Sequence, residues 1–203
     1  LAPAPEHVER MLACVRENVS NPTRELLWGS PGTALASQLM YEQTRDRRLA
    51  DAWRESADWL WDEWQDGLWL QDMYGTQRRY IGAGHGFAGN VHVLARGAAL
   101  LDTERRRELE RRSLETLRRF VVREGGLAQW QPTDDPASVT ATTRTQWCHG
   151  APGIVTSFAP VARENAELTE LLVAGGELTW RAGPLVKGPG LCHGTAGNGY
   201  AFL

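Results

Sequence analysis

The chain has 203 residues, of which 42% are hydrophobic and 23% charged, and this composition is typical of a globular protein. Its formal net charge of -3 provides no positive excess to follow a phosphate backbone, which argues against nucleic acid as a partner. No run of about 18 apolar residues occurs, which excludes a membrane span, and three cysteines are too few for a disulfide framework.

Three charged amphipathic helices are predicted along the chain, over residues 5–19, 47–64 and 103–121. In the third, Glu and Arg alternate at helical spacing from Glu104 to Arg119, which predicts a solvent-exposed helix face. Residues 67–84 and 125–135 carry aromatic and turn residues without helical periodicity. These two segments predict short hairpins or irregular loops over one end of the helices.

A Gly-x-x-Gly element occurs four times, and each copy opens a run of small and apolar residues at helical spacing. The copies span Gly29–Gly32, Gly86–Gly89, Gly150–Gly153 and Gly194–Gly197. Pro31 and Pro152 stand where a helix can begin without needing a backbone N–H. The copies are 57, 64 and 44 residues apart, which fits a helical hairpin with a variable loop as the repeating unit.

Both ends of the chain indicate a piece of a longer protein. The fourth inner helix has only just begun at Leu203, so we expect a fragment of a larger repeat fold. The chain opens on "LAPAPEHVER", with neither Met nor an apolar leader, which suits a cytoplasmic protein whose start lies upstream.

Cysteine and histidine precede three of the four glycine elements. Cys148-His149 and Cys192-His193 come before the third and fourth copies, and His85 before the second. If the repeats bring their helix N-termini to one end, these side chains converge. Thiolates and imidazole are favoured Zn²⁺ ligands, and three protein ligands with an open position are typical of a catalytic site. A Cys-His hydrolase is the weaker alternative, because adjacent side chains seldom point at each other as nucleophile and base.

The motifs "GHGFAGN", "WCHGAPG" and "LCHGTAGNGYAFL" resemble those of the lanthionine synthetase C-like proteins, which include lantibiotic cyclases and stand-alone eukaryotic-type relatives. The resemblance spans residues 24–203. It implies an all-α fold, an α/α toroid of helical hairpins, with short hairpin-like loops at one end. Four elements then make about half of a seven-hairpin ring, so residues 1–203 would be a partial domain truncated at both ends.

The resemblance also implies a set of site residues. One Zn²⁺ per chain would be held by Cys148, Cys192 and His193. His85 matches the residue implicated in the family as general acid. His149 stands where several bacterial cyclases have Tyr, and it agrees with the eukaryotic-type "WCHG".

Three further positions match family residues of the active site. Arg144, four residues before Cys148, corresponds to an active-site Arg of the cyclases. Glu25 falls where the lantibiotic cyclases have an active-site Asp, so this sequence departs from them. Lys187 matches a lysine that contacts glutathione in the eukaryotic-type members.

The implied reaction is zinc-dependent addition of a thiol to a dehydroalanine or dehydrobutyrine residue of a peptide or protein, which forms a thioether. His85 or His149 would protonate the resulting enolate, and Arg144 would stabilise its oxygen. The thiol is either a cysteine of the same peptide, which gives a lanthionine, or glutathione. "WCHG" and Lys187 favour glutathione.

One alternative from another class is open: the protein could be a non-catalytic scaffold that binds zinc or glutathione. A glycosidase, which also occurs as an α/α toroid, is disfavoured because it would need paired carboxylates facing a cleft. The nearest candidates lie on or beside a predicted outer helix, away from the glycine elements: Asp62, Glu63, Asp66 and Asp72.

Overall fold

A computed structural model describes residues 3–138, 144–162 and 165–203, and these residues are mostly helical. The α-helices are α1 (Pro5–Asn18), α2 (Ser30–Thr44), α3 (Arg47–Asp62), α4 (Phe87–Arg96), α5 (Thr103–Phe120), α6 (Ala151–Phe158), α7 (Ala166–Ala182) and α8 (Thr195–Gly199). The strands are β1 (Gln71–Met73), β2 (Thr76–Arg78), β3 (Val121–Glu124) and β4 (Leu127–Trp130). No helix in these ranges is long and apolar enough to cross a membrane.

The three predicted charged helices are confirmed as α1, α3 and α5, with bounds within two residues of the predicted ones. Side-chain caps fix two of these starts, because Asp46 accepts a hydrogen bond from N of Arg48 and Asp102 accepts one from N of Arg105. The charge pattern did not predict α7. Asn165 caps that helix by accepting from N of Leu168.

Inner and outer helices alternate along the chain. The inner helices follow the glycine elements and lie side by side, α2 against α4, α4 against α6, and α6 against α8. The outer helices α3, α5 and α7 pack on α2, α4 and α6 in turn. Every residue of α4 from Phe87 to Val91 is buried, whereas α5 buries only one stripe. The predicted unit, a helical hairpin, therefore occurs three times in succession.

Two antiparallel hairpins lie in or next to the segments in which the sequence predicted hairpins or loops. The β1–β2 hairpin lies within 67–84, whereas the β3–β4 hairpin begins at Val121, four residues before the predicted segment 125–135. β1 pairs with β2 and β3 pairs with β4. Backbone hydrogen bonds join the hairpin regions, from N of Ile81 to O of Pro132 (3.0 Å) and from N of Asp134 to O of Arg79 (3.2 Å). The two hairpin regions therefore lie next to each other in the fold.

Buried tryptophans tie each hairpin region to the outer helix before it. Nε1 of Trp69 donates to O of Leu60 in α3 at 2.6 Å, and Nε1 of Trp130 donates to O of Leu117 in α5 at 3.1 Å. Both indole rings are fully buried. Because the last carbonyls of a helix lack partners within it, the Trp69 indole satisfies an acceptor that the end of α3 leaves open.

The four glycine elements share one backbone geometry. A Cβ on the second glycine of each copy would collide with the carbonyl oxygen of the residue six positions earlier. The pairs are Gly32 with Leu26, Gly89 with Ala83, Gly153 with Trp147, and Gly197 with Leu191. The chain folds back on itself in the same way before each inner helix, so the residues preceding the elements occupy equivalent places.

Candidate metal centre and its surroundings

Cys148, Cys192 and His193 lie together at the N-terminal ends of α6 and α8. Their ligand atoms, two sulfurs and one ring nitrogen, all lie within 4.8 Å of one another. The backbone N–H of Cys148 donates to O of Cys192 at 3.2 Å, which joins the two turns directly. Cys148 is buried, Cys192 is half-buried and His193 is exposed, so the cluster opens towards solvent on the His193 side.

The chemistry of this donor set fits a soft dication such as Zn²⁺. Burial, and after it the neighbouring Cys192, raises the pKa of the Cys148 thiol to about 12. The Cys148 thiol therefore stays protonated near pH 7 in the absence of a cation. A divalent ion would bind both cysteines as thiolates, and the three residues could hold one.

The loop that precedes α4 packs directly on Cys148. N of Gly84 donates to O of Cys148 at 3.4 Å. A Cβ on Gly84 would lie 2.8 Å from Cβ of Cys148, and one on Gly82 would collide with the Cys148 carbonyl oxygen. Only residues without a Cβ allow this approach, which brings the next residue of the loop, His85, towards the cluster.

Glu25 and His85, which are 60 residues apart in the chain, form a close pair. Glu25 is fully buried, and its carboxylate accepts hydrogen bonds from N of Leu27 (3.0 Å) and from N of Trp28. Its Oε2 also lies 3.1 Å from Nδ1 of His85. Since a carboxylate can only accept, Nδ1 of His85 carries the proton in this pair, which leaves Nε2 as the free ring nitrogen.

His149 faces His85, and their ring centroids are 5.8 Å apart. Burial lowers the pKa of His149 to about 4. Any positive charge on the neighbouring Arg144, Lys187, His85 or His193 acts in the same direction. His149 is therefore neutral near pH 7.

Arg144 and Lys187 are both exposed. Each is close enough for its charge to lower the pKa of His149. Nζ of Lys187 also donates to Oε1 of Gln146 at 3.1 Å. The structure thus gathers the charged side chains that the sequence singled out around one point.

Gln146 is a site residue that the sequence analysis missed. Its side chain is buried, and its Nε2 donates to Sγ of Cys148 at 3.1 Å. Its position two residues before Cys148 is the one available sequence signal, and an amide in a turn is too common to be informative.

Of the four carboxylates considered for a glycosidase, three contact basic or amide side chains and the fourth is exposed. Glu63 pairs with Arg24 at 2.8 Å, Asp72 accepts from Gln77 at 3.0 Å, and Asp66 faces Arg79 at 3.9 Å. Asp62, the last residue of α3, is exposed. These contacts give no support to a pair of catalytic carboxylates.

Comparison with known proteins agrees with the motifs. A model of the family described as lanthionine synthetase C-like protein matches residues 5–203. The chain is 30% identical over 129 residues to a zebrafish (Danio rerio) protein named glutathione S-transferase LANCL1, which covers 63% of this chain and 30% of that protein. It is 41% identical over 61 residues to the Arabidopsis thaliana LanC-like protein GCL1, which covers 29% of this chain and 14% of that protein. The matched segments therefore span less than a third of each relative. Because the family model matches residues 5–203, the chain belongs to the lanthionine synthetase C-like protein family.

Proposed function

We propose that this chain forms part of an enzyme that adds a thiol to a dehydroalanine or dehydrobutyrine residue, with one Zn²⁺ held by Cys148, Cys192 and His193. The observation that carries the proposal is the convergence of these ligand atoms within 4.8 Å, beside a histidine pair whose ring centroids are 5.8 Å apart. We also propose that the successive helical hairpins belong to an α/α toroid, of which residues 1–203 form a partial domain.

A metal ion held by these three residues would supply the ionisation of the substrate thiol. A free thiol has a pKa of about 8.5 and is mostly protonated near pH 7, and zinc held by this donor set would favour its thiolate form. His193 is exposed, so a thiol from solvent can approach the cluster on that side.

His85 is the proton donor in this proposal. Its Nδ1–H is held by the Glu25 carboxylate, which fixes the ring and leaves Nε2 to exchange a proton with substrate. Glu25 is itself held by two backbone N–H groups, so it cannot turn away from the ring. His149, with its pKa lowered to about 4, is neutral and better suited to donate a hydrogen bond than to act as an acid.

The proposed reaction adds one thiol across one carbon–carbon double bond. The sulfur–carbon bond forms at the β-carbon while the π bond breaks, and the electron pair moves towards the carbonyl oxygen as an enolate. Arg144, which is exposed and close enough for its charge to act on His149, would provide positive charge for that oxygen. Nε2 of His85 takes up the equivalent of the proton that the thiol releases and then delivers a proton to the α-carbon, so His85 ends the reaction as it began.

Glutathione is the thiol that we favour over a cysteine of the same peptide. One relative is named as a glutathione S-transferase. The site also has two exposed cations whose charges act on His149, Arg144 and Lys187, and these suit the carboxylates of that tripeptide.

The test combines zinc content with product analysis. Cys192→Ala should lose both zinc and thiol addition, whereas His85→Gln should keep zinc and lose addition. Cys14→Ala, which removes an exposed cysteine on α1, is the matched control and should change neither. The product of a dehydroalanine peptide separates the two thiols by mass, because glutathione adds its own mass while ring closure within a peptide adds none.

Two results would overturn the proposal. Retained zinc with full activity in Cys192→Ala would remove the ligand assignment. One zinc per chain, together with no addition of glutathione or of a peptide thiol, would favour the scaffold alternative.

A further inference from the structure

Gln146 connects a proposed metal ligand to a charged side chain. Its Nε2 donates to Sγ of Cys148, and its Oε1 accepts from Nζ of Lys187, each at 3.1 Å. The residue is only 3% exposed, and protein groups satisfy both ends of its amide. The amide thus links an exposed ammonium group to a buried sulfur.

The backbone holds this amide in place. N of Gln146 donates to O of His149 at 3.2 Å, and N of His149 donates to O of Gln146 at 3.1 Å. These two bonds close a tight turn around Trp147 and Cys148. The turn sets the Gln146 side chain against the sulfur of Cys148, two residues further along.

The loop that carries Lys187 is fixed to the other half of the site. N of Leu185 donates to Oγ1 of Thr195 at 2.9 Å, and N of Thr195 donates to O of Gly188 at 3.0 Å. Thr195 begins α8, two residues after His193. Lys187 therefore stays close to the metal cluster although its side chain is exposed.

Lys187 determines which way the amide points. An ammonium group can only donate, so it must face Oε1, and Nε2 is then left to face the sulfur. When Cys148 is a metal-bound thiolate, a flipped amide would set its oxygen against the sulfur and its NH₂ against the ammonium, and both contacts would be repulsive. The positive charge on Oε1 also polarises the amide, which makes Nε2–H a stronger donor.

We propose that Gln146, oriented by Lys187, is a positioning residue for the metal site. It fixes the sulfur of Cys148 and withdraws negative charge from it, as hydrogen-bond partners of metal ligands do. The inference rests on the metal site proposed above. It assigns Lys187 a role in metal binding that operates with no thiol substrate present.

Cobalt(II) is the probe, because its thiolate charge-transfer absorption reports on the sulfur ligands directly. Gln146→Leu removes the donor, Gln146→Glu sets a carboxylate against the sulfur, and Lys187→Met removes the charge but keeps a long side chain. Gln77→Leu and Arg181→Met, at exposed positions, are matched controls. Titration with Co²⁺ and competition with Zn²⁺ give the affinities, and circular dichroism shows whether each variant is folded.

Both Gln146 variants should weaken metal binding by roughly 10- to 100-fold and shift the charge-transfer band. Lys187→Met should weaken it by a few-fold, with a shift in the same direction. Because Lys187 acts through Gln146, Lys187→Met should have no further effect in the Gln146→Leu background. A direct effect of the lysine charge would persist there.

The outcomes separate this inference from the proposed function. If the unmodified protein binds neither cobalt nor zinc, the metal site itself is wrong. If it binds one ion and the band and affinity are unchanged in Gln146→Leu and Lys187→Met, only the role of Gln146 is refuted. Because Lys187 is exposed, Lys187→Met should fold even if the Gln146 variants do not. Its cobalt spectrum and affinity then test the role of Gln146 without them.

Discussion

Replacing Gly153 by alanine should destabilise the protein, whereas the same replacement at Gly176 should stabilise it. At Gly153, in the first turn of α6, the added Cβ would lie 2.8 Å from Cβ of Ala83 and closer still to the carbonyl oxygen of Trp147. At Gly176, in α7, no heavy atom of the described residues outside the adjacent backbone of the same helix and the two chain neighbours comes within 4 Å of the added Cβ. The two variants differ in what surrounds one methyl group.

The magnitudes follow from these contacts. Carbon atoms in contact are about 3.6 Å apart, so α6 and the loop of Ala83 must separate by roughly 0.8 Å. The Trp147 carbonyl is backbone and cannot rotate away, so the cost lies at the upper end for overpacking, about 3 kcal/mol. At Gly176 the gain is the helix propensity of alanine, about 1 kcal/mol. In a chain of this size, Tm should fall by roughly 9 °C and rise by roughly 3 °C respectively.

Thermal unfolding followed by circular dichroism measures both shifts, and denaturant titration gives the free energies. Trp147 directly precedes Cys148, so Gly153→Ala should also weaken cobalt binding, while Gly176→Ala should leave it unchanged. A Gly153→Ala protein as stable as the unmodified one would refute the reasoning, since the glycine would then not be required by close packing.

Two further predictions concern buried polar groups. The pKa of His149 is about 4 in the folded protein against an ordinary 6.5, so only the unfolded chain gains this proton as pH falls. Stability of the metal-free protein should drop by about 2 kcal/mol from near pH 7.5 to near pH 5 through this group. The free energy of unfolding of His149→Gln, measured in urea, should not show that drop. If it depends on pH as strongly as that of the unmodified protein, the prediction is wrong. Trp69→Phe, which leaves O of Leu60 without its indole donor, should cost about 2 kcal/mol. Equal midpoints for Trp69→Phe and the unmodified protein in denaturant would count against that bond.

The helical hairpins were predictable because their signals are local. α3 and α5 combine strong charge with an apolar stripe, and the glycine elements recur before each inner helix. α7 was missed because its sequence has few charges and contains Gly175-Gly176, which weakens the helical pattern. Packing of α7 on α6 stabilises that helix, and a pattern within one segment does not contain that information.

The pairings within the site were less accessible. The repeated Cys and His placement indicated a cluster, but the contact between Glu25 and His85 joins residues 60 positions apart. The link between Gln146 and Lys187 spans 41 positions. Both contacts depend on how separate turns meet in space, and neither pair follows a spacing that a sequence pattern could reveal.

The proposed ligands come from two consecutive repeats, Cys148 from the turn before α6, and Cys192 and His193 from the turn before α8. The separation of the two sulfurs is therefore set by how one repeat stacks on the next. A metal ion held by them would tie the repeats together as a crosslink ties two segments of chain. The affinity for the metal would then depend on how the two repeats stack. A substitution that shifts α8 along α6 would change the dissociation constant of the metal, however far it lies from the ligands.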